Sequence, residues 1–353
     1  MSITLELEKQ YLTQTEHKTC VPVIDMHLHF VDFLQQSEGI EVLLQSMKHG
    51  NLCKNVVFGL PVKKKWEYFE PQEPHYYLGD NSRCIYYNAT DELLASAYGQ
   101  LAESEATKPL QALLAPTLCG FDPTDLACID YIEMMFEKYD FWRGIGEVLL
   151  RHDDLTNLTI GETARSNHPA LEKVYRFCAK RKLPICLHQN STCVASSLKP
   201  APVTDYEYLH ELIEVLEKHP ETTFIWAHCG VSRRVQHPHY HQMVSGLLSM
   251  FHNLYVDLSW VVYDDTVCES RKDPQDPLLP KPVWVDLVEE FQDRVMLGSD
   301  LCGWFDSRPQ AEDQSLKYKH GKTMARYNGL LERLSQQARQ KVAAGNAERL
   351  YFS

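Results

Sequence analysis

Eight short apolar, β-branched runs, each followed by a stretch able to form a helix, constrain this chain more than any other feature. The runs span 21–27 (VPVIDMH), 55–59, 112–119, 141–148, 184–188, 223–228, 253–259 and 294–299. Helix-permissive segments separate them at about 39–49, 91–103, 124–139, 168–182, 205–219, 239–251 and 282–291, and a last one covers roughly 315–344. Asp122-Pro123-Thr124 and Thr204-Asp205 read as start signals for two of these helices. A strand that is apolar along its length is buried on both faces, as in a parallel sheet covered by helices. Eight such units predict an α/β fold closed as a (β/α)8 TIM barrel. No GxGxxG follows the first run, so a dinucleotide-binding open sheet lacks its main signature.

The 353 residues show no repeat, low-complexity tract or long linker, and they read as a single domain over 1–353 with an N-terminal extension over 1–20. Longer inserts at about 61–88, 149–167 and 261–281 follow strands 2, 4 and 7. On a barrel these emerge at the C-terminal face, where active sites are built.

Charge and cysteine usage narrow the partners. Lys and Arg number 35 against 48 Asp and Glu, a net of −13, which repels polyanions and argues against nucleic-acid tracking or an acidic membrane surface. No run approaches the roughly 20 apolar residues of a membrane helix. The polar N-terminus has no apolar core of a secretory signal. Eleven scattered cysteines without a CxxC pair fit reduced thiols, so a cytoplasmic protein is expected.

The chemistry concentrates at the strand ends. His27 and His29 lie two apart in DMHLH, and a period of two turns both imidazoles to one face. Glu147 (GIGE) ends run 4, His188 (ICLH) run 5, His228 (IWAH) run 6, and Asp300 (LGSD) follows run 8. A closed barrel gathers those ends into one ring. Imidazole nitrogen with carboxylate oxygen suits Zn²⁺ first, and also Mn²⁺ or Fe²⁺. A lone strand-end histidine is usually a hydrogen-bonding core residue; six candidate ligands on five strand ends are not explained that way.

At these residues the chain resembles the amidohydrolase superfamily, most closely its amidohydrolase-2 branch of metal-dependent hydrolases and decarboxylases. Asp25–His29, His188, WAHCG at 226–230, DLSW at 257–260, Asp300 in GSD and the ending GNAERLY at 345–351 carry the resemblance, which runs from about residue 21 to 353. The resemblance implies a (β/α)8 fold with one or two divalent cations per chain, and His27, His29 and Asp300 on the more buried metal. It puts His188 on either that metal or a second one. His228 becomes the second metal's ligand, or an outer acid/base where there is one metal. Glu147 is then either a bridging ligand or a group that orients a histidine.

Metal-activated water attacking an amide, lactone or ester of a small anionic or aromatic molecule follows from such a site, with Asp300 and His228 as the catalytic pair. Non-oxidative decarboxylation of an aromatic or dienoic acid uses the same residues. A metal-dependent nuclease and a silent metal-binding scaffold are the remaining alternatives. For substrate, Arg233 and Arg234 after strand 6 could clasp an anion, and Trp304, like Trp260, could wall an apolar ring. Lys63–Lys65 and Arg151-His152-Asp153-Asp154 stand near the mouth, while His237-Pro238-His239-Tyr240-His241 reads as loop histidines. A small-molecule substrate and a homo-oligomer are the expected partners.

Overall fold

The computed structural model describes residues 18–64, 84–152, 162–192, 201–202, 206–231, 235–236, 239–273, 276–302 and 315–353. Eight parallel strands form its centre: strand 1 Val23–His29, 2 Leu52–Phe58, 3 Leu114–Pro116, 4 Ile145–Leu150, 5 Ile185–Gln189, 6 Phe224–Trp226, 7 Leu254–Asp257 and 8 Val295–Met296. Strands 1, 2 and 3 pair in order, as do 4 through 8. Two isolated parallel bridges join the arcs, Leu118 with Ile145 and Leu28 with Leu301. Gly146 N–H donates to the Leu118 carbonyl at 2.8 Å, and Met26 N–H to that of Leu297 at 3.0 Å. The ring therefore closes as a (β/α)8 barrel.

Two layers of apolar side chains hold it. Ile24, Met26, Val56, Phe58, Ala115, Cys186, Ile225 and Met296 form a cluster drawn from six strands, with Ala347 and Tyr351 of the C-terminal helix Asn346–Tyr351 packed into it. A larger cluster lies between strands and helices, where Val57, Leu187 and Val256 meet Leu43, Val174 and Leu212. Helix Leu209–Lys218 shows the amphipathic logic: Leu212, Val215 and Leu216, at i, i+3 and i+4, face inward while Glu217 and Lys218 face water. The nine cysteines whose side chains are described are all free thiols. No helix among these residues is long and apolar enough to cross a membrane.

Several local expectations need correction. Strand 1 runs to His29, so the HxH pair ends the strand as expected, with the strand ending two residues beyond the apolar run. Its alternation, however, breaks. The register shifts between Asp25 and Leu28, so Ile24 and Met26 point into the barrel, yet His27 and His29 do too, while Asp25 faces the helices. Glu147 is mid-strand, with Val148–Leu150 beyond it. The Asp122 start signal builds a turn: its Oδ1 accepts from Thr124 N at 2.8 Å, and the helix begins only at Cys128. Thr204-Asp205 lies outside the described residues. The last segment is not one helix but pieces, beginning with Leu316–Ala325 and Asn328–Leu331. The insert after strand 2 holds an antiparallel pair, Val62–Lys64 with Cys84–Tyr86.

Candidate metal centre

The six predicted ligands converge. Candidate donor atoms of His27, His29, Glu147 and Asp300 lie within 4.8 Å of one another, and so do those of Glu147, His188 and His228. Glu147 belongs to both groups. Its Oε1 stands 2.8 Å from His188 Nδ1 and 3.2 Å from His228 Nε2, and its Oε2 is 3.3 Å from His29 Nε2. Asp300 Oδ1 closes the first group, 3.2 Å from His27 Nε2 and 3.1 Å from His29 Nε2. The side chains of the other five are 0–4% exposed, and that of Asp300 is 13% exposed, so Asp300 faces the mouth.

Hydrogen bonds fix which nitrogen each imidazole turns inward. The Gly59 carbonyl can only accept, so His29 Nδ1, at 2.9 Å, carries a proton and Nε2 faces the cluster. His27 Nδ1 meets the Asp257 carboxylate at 3.1 Å in the same way. Ser259 Oγ donates to Asp257 Oδ1, which leaves it to accept from His228 Nδ1 at 2.7 Å. Three imidazoles thus turn Nε2 toward the cluster, oriented by partners behind them. His188 differs, since its Nδ1 points at Glu147.

Burial and neighbouring charge act against each other on four of these groups. Burial alone pulls the His27 imidazole down, but the Asp257 and Glu147 charges overturn this and hold it well above its usual range. His29 is likewise lowered by burial, then raised by Asp300 and Glu147 to about 9. Burial pushes Glu147 up, yet His27, His188 and His228 bring its carboxyl well below the ordinary value. Asp300 also ends low, through His228, His27 and His29. The residues fit a divalent cation on a further count: buried His27 Nε2 has no hydrogen-bond partner.

The backbone works to make this arrangement. Asp300 (φ 53°), His228 (φ 54°) and Trp260 (φ 57°) all adopt left-handed conformations just past strands 8, 6 and 7, sharp turns that re-aim side chains inward. Gly298 is required, because a Cβ there would stand 2.5 Å from that of His27. Above the cluster lies a cavity of about 120 Å³, lined by Phe33, Leu60, Leu149, His152, Trp260 and Cys302 besides the cluster itself. The His152 ring lies 4.4 Å from that of His188, so this residue reaches the pocket as expected. Its neighbour Arg151 does not. Arg151 Nε donates to Glu211 at 3.0 Å and its guanidinium stacks 4.2 Å over Tyr208.

Arg233, Arg234, Trp304 and Lys65 lie outside the described residues, as do His237, Pro238, Asp153 and Asp154, and nothing is described of the Lys63 and Lys64 side chains. His239 precedes the helix Tyr240–Met250 and His241 lies in its first turn, and neither joins the cluster. Asp257 is the residue whose role the sequence reading left unassigned. Wholly buried, it takes His27 Nδ1 on one oxygen and His228 N and Ser259 on the other. Asp257 is the last residue of strand 7, but the apolar run in the sequence extends to Ser259, so the strand-end rule does not single it out.

The comparisons with known proteins agree with the fold. A family model described as Amidohydrolase matches residues 157–352, and the chain belongs to that family. A search of curated proteins gives no match. Among solved structures, a probable 2-pyrone-4,6-dicarboxylic acid hydrolase from Acinetobacter baumannii with citric acid bound is similar at 13% identity and TM-score 0.52, covering 94% of this chain and 99% of that one. An amidohydrolase from Burkholderia multivorans with bound zinc is similar at 13% identity and TM-score 0.51, over 94% and 99%. A 2,6-dihydroxybenzoate decarboxylase complexed with 2,6-dihydroxybenzoate reaches TM-score 0.50 at 13% identity, over 94% and 98%. At such identity these likenesses establish the barrel, and not the reaction.

Proposed function

We propose that this chain is a hydrolase with a two-cation centre, acting on an amide, lactone or ester of a small anionic or aromatic molecule. His27, His29 and Asp300 would hold one ion, His188 and His228 the other, and Glu147 would lie between them. The observation that carries this reading is Glu147, which stands in both donor groups, with Oε1 2.8 and 3.2 Å from His188 and His228 and Oε2 3.3 Å from His29. A divalent cation supplies a site of this kind with Lewis-acid polarisation of a carbonyl and with water that ionises near pH 7. Zinc suits the imidazole-rich set best, and manganese or iron suits it too.

The chain's own residues would do the rest. Asp300, the most exposed of the six, would take the proton of the attacking water and return it to the leaving oxygen or nitrogen. His228, with Nδ1–H given to Ser259, keeps a lone pair at Nε2 and so suits ligation better than oxyanion donation. Trp260 and His152 would shelter the reacting group, and Arg233, Arg234 and Trp304 are proposed to contact the remainder of the substrate. The whole chain would work as one domain.

Zinc-loaded protein screened against lactones, amides, esters and aromatic acids in ¹⁸O-water tests the reaction. Label in a released carboxylate supports hydrolysis. Carbon dioxide released from an aromatic or dienoic acid without label replaces it with decarboxylation, which the same Asp300 could serve by protonating carbon.

A further inference from the structure

Strand 1 carries an irregularity that decides where His27 points. Regular alternation would put His27 on the face of Asp25, away from Ile24 and Met26. The register shift between Asp25 and Leu28 reverses this, and His27 turns into the barrel. Such a shift leaves backbone groups outside the sheet ladder, and each buried one needs a partner. The His27 N–H finds Asp25 Oδ1 at 3.0 Å, and the same oxygen accepts Ser299 N–H at 2.9 Å, next to Asp300. One carboxylate oxygen therefore fixes the backbone beside two candidate ligands on different strands.

The other oxygen is held from outside the barrel. Asp25 Oδ2 lies 2.7 Å from His320 Nε2, on helix Leu316–Ala325. His320 is fixed in turn. Ser46 Oγ donates to the Leu43 carbonyl at 2.7 Å, so it accepts from His320 Nδ1 at 2.8 Å. Asp25, Ser46 and His320 are all fully buried, and helix Ile40–Gly50 meets Leu316–Ala325 closely enough that a Cβ on Gly50 would stand 2.8 Å from Gly321 Cα. No substrate can reach this chain of groups, so catalysis by it is excluded.

We infer that Asp25, clamped by His320, is a positioning residue that sets the phase of the His27–His29 pair and the place of Asp300, and so tunes cation affinity without touching the cation. The inference rests on the two-cation reading of the centre.

The test is zinc affinity of the chelator-stripped full chain, measured by competition with a chromophoric chelator, with thermal unfolding recorded beside it. Asp25→Ala removes the acceptor for both N–H groups and is expected to weaken zinc binding about 10- to 100-fold, the usual effect of losing a group that orients a ligand. Asp25→Asn keeps an acceptor oxygen and should recover affinity to within a few fold. Should Asp25→Ala not fold, His320→Leu and His320→Gln make the same comparison, since glutamine restores an N–H toward Asp25. Folded alanine or leucine variants that bind zinc as wild type does overturn the inference, as does an asparagine variant as weak as alanine. If wild type binds no divalent cation, the metal reading itself fails and takes this inference with it, a result distinct from the other two.

Discussion

Glu147 and Asp91 are both fully buried carboxylates near one mouth of the barrel, and their surroundings drive them in opposite directions. Asp91, in the first turn of helix Ala89–Gln100, accepts from the Cys119 and Gly120 backbone amides at 3.0 and 2.7 Å and from the Tyr131 hydroxyl at 2.9 Å. Burial outweighs those neutral donors and lifts its carboxyl to about 6. Glu147 has imidazoles in place of amides, and they hold it well below the usual range despite the same burial. A carboxylate surrounded by neutral donors can be satisfied by the protein alone, and it ties a helix to a strand end. One kept charged among titratable nitrogens needs positive charge, which protons or a cation can supply.

The contrast breaks most visibly if Glu147 is neutralised. Glu147→Gln should lower turnover on the order of 10³-fold, about 4 kcal/mol of barrier, in steady-state kinetics. Asp91→Asn, by contrast, should leave metal content at the wild-type level. A mild effect of the first, or metal loss in the second, would merge the two classes.

Asp300→Asn removes the proposed proton carrier and should reduce kcat about 10²- to 10⁴-fold while zinc-binding capacity is followed in parallel. Unchanged kcat would remove Asp300 from that role.

The two carboxylates also predict opposite slopes of stability against pH in metal-free protein. Asp91 has a raised folded pKa, so its favourable contribution is complete below about pH 3.8 and is lost as pH rises through about 6, roughly 3 kcal/mol in all. Glu147 is depressed, so its contribution is present above its unfolded value and is lost as pH falls through the folded one. Denaturation curves of Asp91→Asn and Glu147→Gln, each subtracted from wild type across about pH 2–7, should therefore bend in opposite senses, that of Asp91 above about pH 4 and that of Glu147 below it. Parallel differences would mean that the imidazoles do not hold Glu147 charged.

Smallest of all, Trp260→Leu should raise KM several-fold with kcat within about threefold, since the indole walls the pocket 5.2 Å from His228 without ligating. A collapse of kcat would show that its left-handed turn also sets a ligand.

What could be read from the chain beforehand follows from periodicity. Eight apolar runs sufficed for the barrel, because burial on both faces leaves no other use for them. The strand-end rule picked out all six cluster residues, since closure brings the strands together whatever their separation in the chain, although Glu147 lies within its strand. It passed over Asp257, although that residue ends strand 7, because the apolar run extends to Ser259 and nothing in the local spacing distinguishes a ligand from the group that orients one. The shift at Asp25–Leu28 was hidden for another reason: its acceptors come from residue 299 and its clamp from residue 320, and no local pattern encodes either. Asp122 misled because an aspartate that accepts from an amide two residues on makes a turn as readily as a helix cap. The break-up of 315–344 likewise reflects packing, with Tyr327 donating to the Leu258 and Gly298 carbonyls where a continuous helix was expected.

Elemental analysis of zinc-reconstituted, desalted protein addresses the centre itself. Two ions per chain in wild type and one or fewer in Glu147→Gln is the predicted result. No bound metal in wild type, or two in both proteins, would contradict it.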